Sequence, residues 1–366
     1  MDMVDNAGRI KELEEELSNT KYNKSTQHHI GLLKAKIAKL KEKVYRTGSG
    51  GGGGGYDIKK SGDATVCLLG FPSVGKSTLL NSLTNAESEV AEYEFTTLDV
   101  IPGVMEYKHA KIQILDVPGI VEGAALGRGR GREVLSVLRS ADMVLTLIDV
   151  NQPRQYNALL KEIYDAGLRV NQKYPDVKIR KTDRGGICVG STIKLTKIDY
   201  RTIQSILKEY RIMNADVVIR TDIDDSEFID VVERNKKYVK GINVINKADT
   251  VEPGELERVR AEINPDLSIS AKSGKGIEEL KELIFDSLDF IRVYCKEVNQ
   301  KADLEEPLIM RQGSSIKEMC ERLHKDFVKN FKYAKVWGKS AKFPGQVFKQ
   351  PRHVLQDGDI VEIHVK

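Results

Sequence analysis

The 366-residue sequence has four cysteines, Cys67, Cys188, Cys295 and Cys320, and no CxxC pair. That spacing excludes a disulfide framework and gives no sign of a zinc site. Long apolar runs are also missing, since no stretch approaches the roughly 18–20 residues that a membrane-crossing helix needs. The N-terminal MDMVDNAGRIKELEEEL lacks the basic-then-apolar order of a secretory signal, so the expected compartment is the reducing cytoplasm, with no membrane partner. Aromatic residues make up only 6% of the chain and include one tryptophan. Excess charge is small too: 58 Lys+Arg face 54 Asp+Glu, a net +4. A balance that small argues against an evenly basic nucleic-acid binder. What is present is material for a globular core, 40% hydrophobic, and length for two or three domains of roughly 100–200 residues.

The charge is segregated. Residues 1–20 carry a balance of −4 and residues 21–46 one of +7. Ile30, Leu33, Ile37 and Leu40 recur at helical spacing in the basic stretch, and Leu13 and Leu17 do so before it. The pattern predicts a helical hairpin over 1–47, its basic arm either docked on the rest of the protein or facing RNA or a ribosome. The run Gly50–Gly55 then marks a flexible linker, 48–62.

After the linker, Thr65–Leu69 reads as a buried strand and Ser77–Leu83 as the start of a helix. Between them lies GFPSVGKS, which fits the phosphate-loop pattern G-x-x-x-x-G-K-[ST] in the strand–helix context it requires. Backbone N–H groups of such a loop converge on nucleotide phosphates. Gly70, Phe71, Pro72, Ser73, Val74, Gly75, Lys76, Ser77 and Thr78 are therefore the candidate phosphate-binding residues. Lys76 reaches the β and γ phosphates and Ser77 ligates Mg²⁺. A second apolar strand, Lys111–Leu115, ends at Asp116-Val-Pro-Gly119, where Asp116 can hold a water on the same Mg²⁺ and Gly119 can offer its N–H to a γ-phosphate. Between them, a threonine of Tyr93-Glu-Phe-Thr96-Thr97 can complete the Mg²⁺ shell while the γ-phosphate is present. A third strand, Gly241–Ile245, ends in Asn246-Lys247-Ala248-Asp249. Guanine presents adjacent N1–H and N2–H₂ donors that one carboxylate accepts in a charge-assisted pair, and adenine has no such pair. Asp249 thus selects GTP over ATP. Asn246 ties the loop to the phosphate loop, the Lys247 stem covers the base, and the backbone of Ser270-Ala271-Lys272 meets guanine O6.

With these residues in view, the chain resembles the developmentally regulated GTP-binding (DRG) proteins of the Obg superfamily. The likeness covers GFPSVGKSTLLN, AEYEFTTL, IPGV, DVPGIVEGAALGRGRG, LIDV, NKAD and SAKSGKG, and also the NKSTQHHIGLLKAKIAKLK segment and the glycine run. From about Ile291 the sequence resembles the TGS module, a small β-grasp domain. A related family that prefers ATP would place a different sequence where NKAD stands. The resemblance favours Thr97 over Thr96 as the Mg²⁺ ligand and catalytic residue beside Lys76. It also implies a role in translation and a small stabilising partner protein. The fold class expected is α/β, a doubly wound P-loop GTPase sheet over 63–164 and 238–290. To this are added the helical hairpin, an inserted α+β domain over 165–237 and a TGS domain over 291–366. Nearly a hundred residues separate Asp149 from Asn246, more than one helix and its loops need. The insert shows no catalytic constellation, and a binding surface or a spacer suits it equally.

Where many GTPases carry a water-orienting Gln after DxxG, this chain has Ile120. Slow intrinsic hydrolysis is expected, with the water-positioning group unassigned. An arginine of the 127–132 GRGRGR segment could act on the transition state in cis, or the segment could dock elsewhere or contact RNA. Ser73 stands where some potassium-activated GTPases hold the cation with Asn, which makes K⁺ a candidate activator alongside the Mg²⁺ cofactor. Residues 325–352 carry a second +7 balance with Phe327, Phe331, Tyr333, Trp337, Phe343 and Phe348 interleaved. The rings are read mainly as β-grasp core and the lysines as an RNA or ribosome surface. The expected function is a Mg²⁺-dependent GTPase switch that binds GTP or GDP and associates with the ribosome or RNA, without DNA specificity. The alternative is a nucleotide-gated ribosome- or RNA-binding adaptor whose hydrolysis is incidental.

Overall fold

The computed structural model describes residues 2–21, 23, 25–47, 62–84, 101–117 and 137–365. The Gly50–Gly55 run, Thr96, Thr97, Gly119, Ile120 and the 127–132 segment lie outside the described residues. The chain divides into two compact units.

The larger unit contains the strands that read as continuous apolar runs. These are β1 (Ala64–Leu69), β3 (Ala110–Asp116) and β4 (Met143–Asp149), buried at nearly every position. Strands buried on both faces suit parallel pairing. The sheet order is β10 (Leu267–Ser268), β9 (Lys237–Asn246), β4, β1, β3, β2 (Ile101–Tyr107). All of these pair in parallel except β2, which is antiparallel to β3. The amphipathic helices α3 (Lys76–Leu83) and α8 (Ile277–Ser287) pack Leu79, Leu80, Leu83, Leu280 and Ile284 into one core with the sheet. Helix α7 (Pro253–Ile263) closes a second core with Val259 and Ile263 against Ile148 and Ile245. Every parallel strand delivers its carboxyl end to the same edge of the sheet, which is where an open α/β sheet binds its ligand.

The same unit holds a five-stranded sheet in the order β12 (Leu308–Arg311), β11 (Phe290–Cys295), β15 (Asp359–Val365), β13 (Phe331–Trp337), β14 (Gln346–Phe348). Strand alternation sends Val293, Ala334, Val336 and Val361 to one face, against Ile316, Met319 and Cys320 of α9 (Ile316–Leu323). Short helix α10 (Lys325–Lys329) follows. Arg311 pairs with Asp142 at 2.7 Å and Arg322 with Asp63, so two ion pairs join this module to the amino ends of β4 and β1. On the opposite face of the small sheet, Glu362 is buried and accepts from Lys335 at 3.1 Å, from His364 at 2.6 Å and from Lys296. Burial pushes the Glu362 carboxyl up, but Lys296, His364 and Lys335 outweigh it and hold it down at about 2. A depressed carboxylate stabilises the fold above its unfolded value of 4.5 and loses that contribution as pH falls toward about 2. Acid titration of the full chain, followed by Trp337 fluorescence, should therefore show loss of structure around that residue in this window. Glu362→Gln should flatten the dependence.

The smaller unit comprises the hairpin of α1 (Asp2–Asn19) and α2 (Gln27–Thr47) together with residues 162–238. Helix α4 (Gln155–Asp165) brings the chain into it, and β5 (Leu168–Val170) follows. A three-stranded sheet in the order β6 (Val177–Lys181), β8 (Ala215–Ile219), β7 (Ile187–Ser191) is covered by α5 (Tyr200–Glu209) and α6 (Asp225–Glu233). Expectation and structure differ here in two respects. Ile187–Val189 and Val217–Arg220 read as strands from the sequence, whereas β6, with charges alternating between Val177 and Ile179, does not. The hairpin, expected as a separate attachment, is one body with the insert: Ala35 of α2 belongs to the core formed by Ile203, Ile206 and Phe228. The lysines of the basic arm go to carboxylates, Lys34 to Asp225 at 3.0 Å, Lys39 to Glu209 at 2.9 Å and Lys41 to Glu14 at 2.8 Å. Three of the eight cations of residues 21–46 are thus balanced within the unit, while Lys21 and Lys36 stay exposed. The docked alternative is the one this packing supports. Arg169 and Asp230 form a buried bidentate pair at 2.5 and 2.9 Å, with the guanidinium stacked 3.6 Å over Tyr164.

Close approach of α2 depends on Gly31, where a Cβ would lie 2.6 Å from the Cγ2 of fully buried Thr202. Gly31→Ala should destabilise this unit by about 1–3 kcal/mol through overpacking. Thr202→Ser, which removes the opposing methyl, should restore most of the loss in a thermal double-mutant cycle.

Candidate functional site: a nucleotide cradle at the sheet edge

β1 ends in the loop 70–75 and α3 begins at Lys76. Gly75 has φ 97°, and a Cβ there would lie 2.6 Å from Asn246 Nδ2, so glycine is required both for conformation and for contact. Helices α5, α6 and α9 are capped by the side chains of Asp199, Asp224 and Ser315, and α7 and α8, which lack such a cap, carry acids in their first turns. α3 has no side-chain cap and no acid in its first turn. Its first-turn N–H donors therefore have no capping side chain, the arrangement that suits an anion at a helix N-terminus. Phe71 is half-buried, Pro72 and Ser73 are exposed, and Val74 is buried beneath the loop. Thr78 is exposed on the first turn of α3. The Lys76 ammonium donates to the carbonyls of Gly70 and Phe71 at 3.0 and 3.2 Å. Burial lowers its pKa while Asp116 acts to raise it. The lysine is thus already folded over the loop it would serve.

Ser77 Oγ donates to Asp116 Oδ2 at 3.0 Å. Asp116 is 6% exposed, and its Oδ1 is buried without a hydrogen-bond partner among the described residues. A hydroxyl beside an orphaned carboxylate oxygen is an all-oxygen donor set, which suits a hard cation that keeps several of its waters. The residues present fit Mg²⁺.

On the other side of the loop, β9 ends in Asn246, which is 2% exposed. Its Nδ2 donates to the Val74 carbonyl at 2.9 Å and its Oδ1 accepts from the Ala271 N–H at 2.9 Å. One side chain therefore ties three loops together. Lys247, at φ 63°, donates to the Ser73 carbonyl at 2.9 Å and to Asp149 Oδ2 at 2.6 Å. Burial acts to raise the Asp149 carboxyl, but Lys247 and Asn151 outweigh it and hold it below the usual carboxylate range. Asp249 is exposed, and the Ser270 hydroxyl and the residue's own N–H lower its pKa. Asp249 therefore stands ionised and open beside the loop. The Ala248 N–H bonds the Ile269 carbonyl at 3.0 Å, and Ser82 Oγ donates to the Ala271 carbonyl at 2.9 Å. These bonds fix the buried Ser270 and Ala271 next to the NKAD turn, with Lys272 exposed. Two participants were not among the residues chosen from sequence: Asp149, which anchors Lys247, and Ser82, which holds the Ala271 carbonyl. Asp149 carried a signal, an acid ending an apolar strand. Ser82 carried none.

A family profile described as a 50S ribosome-binding GTPase matches residues 65–181, the C-terminal region of that domain matches 184–290, and the TGS domain matches 291–365. A GTP-binding protein of Methanocaldococcus jannaschii is 53% identical over 361 residues, covering 98% of this chain and 92% of its own. Developmentally-regulated G-protein 3 of Arabidopsis thaliana is 44% identical, covering 97% of each chain. Developmentally-regulated GTP-binding protein 1 of Xenopus laevis is 43% identical, covering 97% of this chain and 98% of its own. The chain belongs to the DRG family of GTP-binding proteins. Its architecture is accordingly a P-loop GTPase domain followed by a TGS domain, and GTP binding and GTP hydrolysis are its activities at the level of the family. The structure of the YchF GTPase of Schizosaccharomyces pombe is a structural neighbour, 14% identical with a TM-score of 0.43, covering 84% of this chain and 99% of that one. In this DRG protein, Thr97, Gly119 and Ile120 lie outside the described residues. Among the described residues, no helix is long and apolar enough to cross a membrane.

Proposed function

We propose that this DRG protein binds GTP with Mg²⁺, hydrolyses it slowly, and uses its nucleotide state to control association with the ribosome or RNA in the cytoplasm. The observation that carries the reading is Asn246. It joins the phosphate loop, the NKAD turn and the 270–272 loop through two buried hydrogen bonds, so a phosphate-binding half and a guanine-binding half act as one preorganised site. The loop 70–78 and Gly119 hold the phosphates, and Lys76 swings from the Gly70 and Phe71 carbonyls to the β and γ oxygens. Asp249 accepts from guanine N1–H and N2–H₂. Ser77, Asp116 through water, and Thr97 would hold Mg²⁺, whose chemistry is to neutralise phosphate charge. Ile120 cannot orient water, so turnover is slow until a partner completes the site. The ribosomal assignment is supported by the description of the matching GTPase profile, and a small stabilising protein is the further partner expected.

The test uses the purified full chain. Unlabelled GTP and GDP should displace labelled GTP while excess ATP does not, chelation of Mg²⁺ should weaken GTP binding, and turnover should stay well below ~1 per second. Displacement by ATP, or turnover at tens per second without additives, would overturn the reading.

A further inference from the structure

Strands β4 and β9 lie side by side and end in register, Asp149 opposite Asn246. The turn that follows β9, Lys247 to Thr250, carries the candidate base-reading carboxylate of Asp249. Lys247 holds a left-handed backbone, φ 63°, which a β-carbon disfavours. Neighbouring groups hold it there. Its ammonium donates to Asp149 Oδ2 at 2.6 Å and to the Ser73 carbonyl at 2.9 Å. Its own carbonyl accepts from the Thr250 N–H at 3.0 Å and from Thr250 Oγ1 at 2.8 Å. Both ends of this one residue are therefore fixed, and Asp249 sits within the turn that the second end closes.

Asn151 joins the two ends. Its N–H and Nδ2 donate to Asp149 Oδ1 at 2.9 and 3.0 Å, and the same Nδ2 donates to Thr250 Oγ1 at 3.2 Å. The Thr250 hydroxyl spends its one proton on the Lys247 carbonyl and a lone pair on Asn151, so donors and acceptors match all the way round. The hydrogen bonds thus form a closed ring: Asp149 to Asn151, to Thr250, to the Lys247 backbone, and from the Lys247 ammonium back to Asp149. Asp149 is buried and serves as the anchor, whereas Asn151 and Thr250 are exposed. Exposed polar side chains are not needed to fill a core; what these two fix is the turn that bears Asp249. A carboxylate that accepts from two adjacent donors must place both oxygens at once, a stricter demand than one hydrogen bond makes.

We propose that Asn151 and Thr250, together with Asp149, are positioning residues that set guanine selectivity, locking Lys247 and holding the Asp249 turn in the geometry that guanine's paired donors require. Such a role rests on Asp249 being the guanine acceptor, as proposed above, and is exerted through Lys247 and its turn. It also ties the two halves of the site together a second time, because the ammonium that closes the ring binds the phosphate-loop carbonyl of Ser73.

Inosine triphosphate is the discriminating probe. Its base keeps N1–H and O6 but lacks the N2 amino group, so it offers Asp249 one donor instead of two. Calorimetry on the full chain with Mg²⁺ should rank GTP ahead of ITP, with ATP far behind. Thr250→Val, which keeps the shape and removes the hydroxyl, should weaken GTP about fivefold and ITP less, so that the GTP-to-ITP ratio falls. Asn151→Ala should lower the ratio in the same way, and Thr250→Ser, which keeps the hydroxyl, should restore it. The double variant Asn151→Ala/Thr250→Val should lose little more than either single one, because each opens the same ring. The ratio is insensitive to any loss of folded protein, which lowers both affinities alike. A ratio unchanged in both single variants, or losses that multiply in the double variant, would overturn the proposal and leave Asp249 as the guanine acceptor. A parent that binds ITP as tightly as GTP, or that takes ATP, would refute that reading of Asp249 and the positioning role with it.

Discussion

Asp249→Asn should lose roughly a thousandfold in GTP affinity, because two charge-assisted hydrogen bonds to guanine are removed together. The asparagine amide offers one acceptor and one donor where guanine presents two donors. The amide oxygen keeps one bond without its charge assistance, and the other bond gives way to a clash of two donors. The same amide matches xanthine, which carries an oxygen in place of the guanine N2 amino group. The variant should therefore prefer XTP to GTP without gaining ATP. Its fold should persist, since Asp249 is exposed and its carboxylate is engaged by the Ser270 hydroxyl, its own N–H and the charge of exposed Lys272. Calorimetry with GTP, XTP and ATP on the same preparation checks this. GTP binding within a few-fold of the parent would show that Asp249 does not read the base.

Asn246→Ala is expected to damage both fold and function. Asn246 is buried, and its removal strands the Val74 carbonyl and the Ala271 N–H in the interior. Leaving a buried polar group unpaired costs about 1–3 kcal/mol each, so the unliganded protein should lose about 3 kcal/mol. GTP affinity should fall at least roughly tenfold as well, because ligand binding must then order two loops that the parent holds in register. Asn246→Asp keeps an acceptor for Ala271 but offers no donor to Val74, so it should fall between the two. Thermal melts with and without GTP separate the two effects. An alanine variant with parental melting temperature and affinity would mean the three loops are held by other contacts.

The nucleotide site was legible because its chemistry lies in short contiguous strings whose spacing encodes geometry: GFPSVGKS places a helix start under phosphates, and NKAD ends a buried strand. Its supports were less legible. Nothing local marks Ser82 as the residue that holds the Ala271 carbonyl 189 positions away. Partition of the chain into bodies was the least legible feature. The stripe Ile30, Leu33, Ile37 says that α2 buries a face, but not against what, and the carboxylates that neutralise two of its lysines, Asp225 and Glu209, stand far along the chain. A local count of +7 therefore overstates the surface charge left after folding. At the C-terminal end the same count survives better, because only Lys335 of that stretch is drawn onto Glu362, while Lys325, Lys329, Lys342 and Lys349 stay exposed. Strand β6 was missed because Val177 and Ile179 alternate with Lys178, Arg180 and Lys181, so the run reads as charged until β8 pairs with it.

The central claim is that guanine nucleotide state gates binding to a polyanionic partner. The most direct measurement is co-sedimentation of the full chain with ribosomes in GDP, GTP and a non-hydrolysable GTP analogue, repeated across salt concentrations. The account predicts that the GTP and analogue samples pellet alike, that the GDP sample pellets less, and that binding falls as salt rises. Pelleting indifferent to both nucleotide and salt would contradict it.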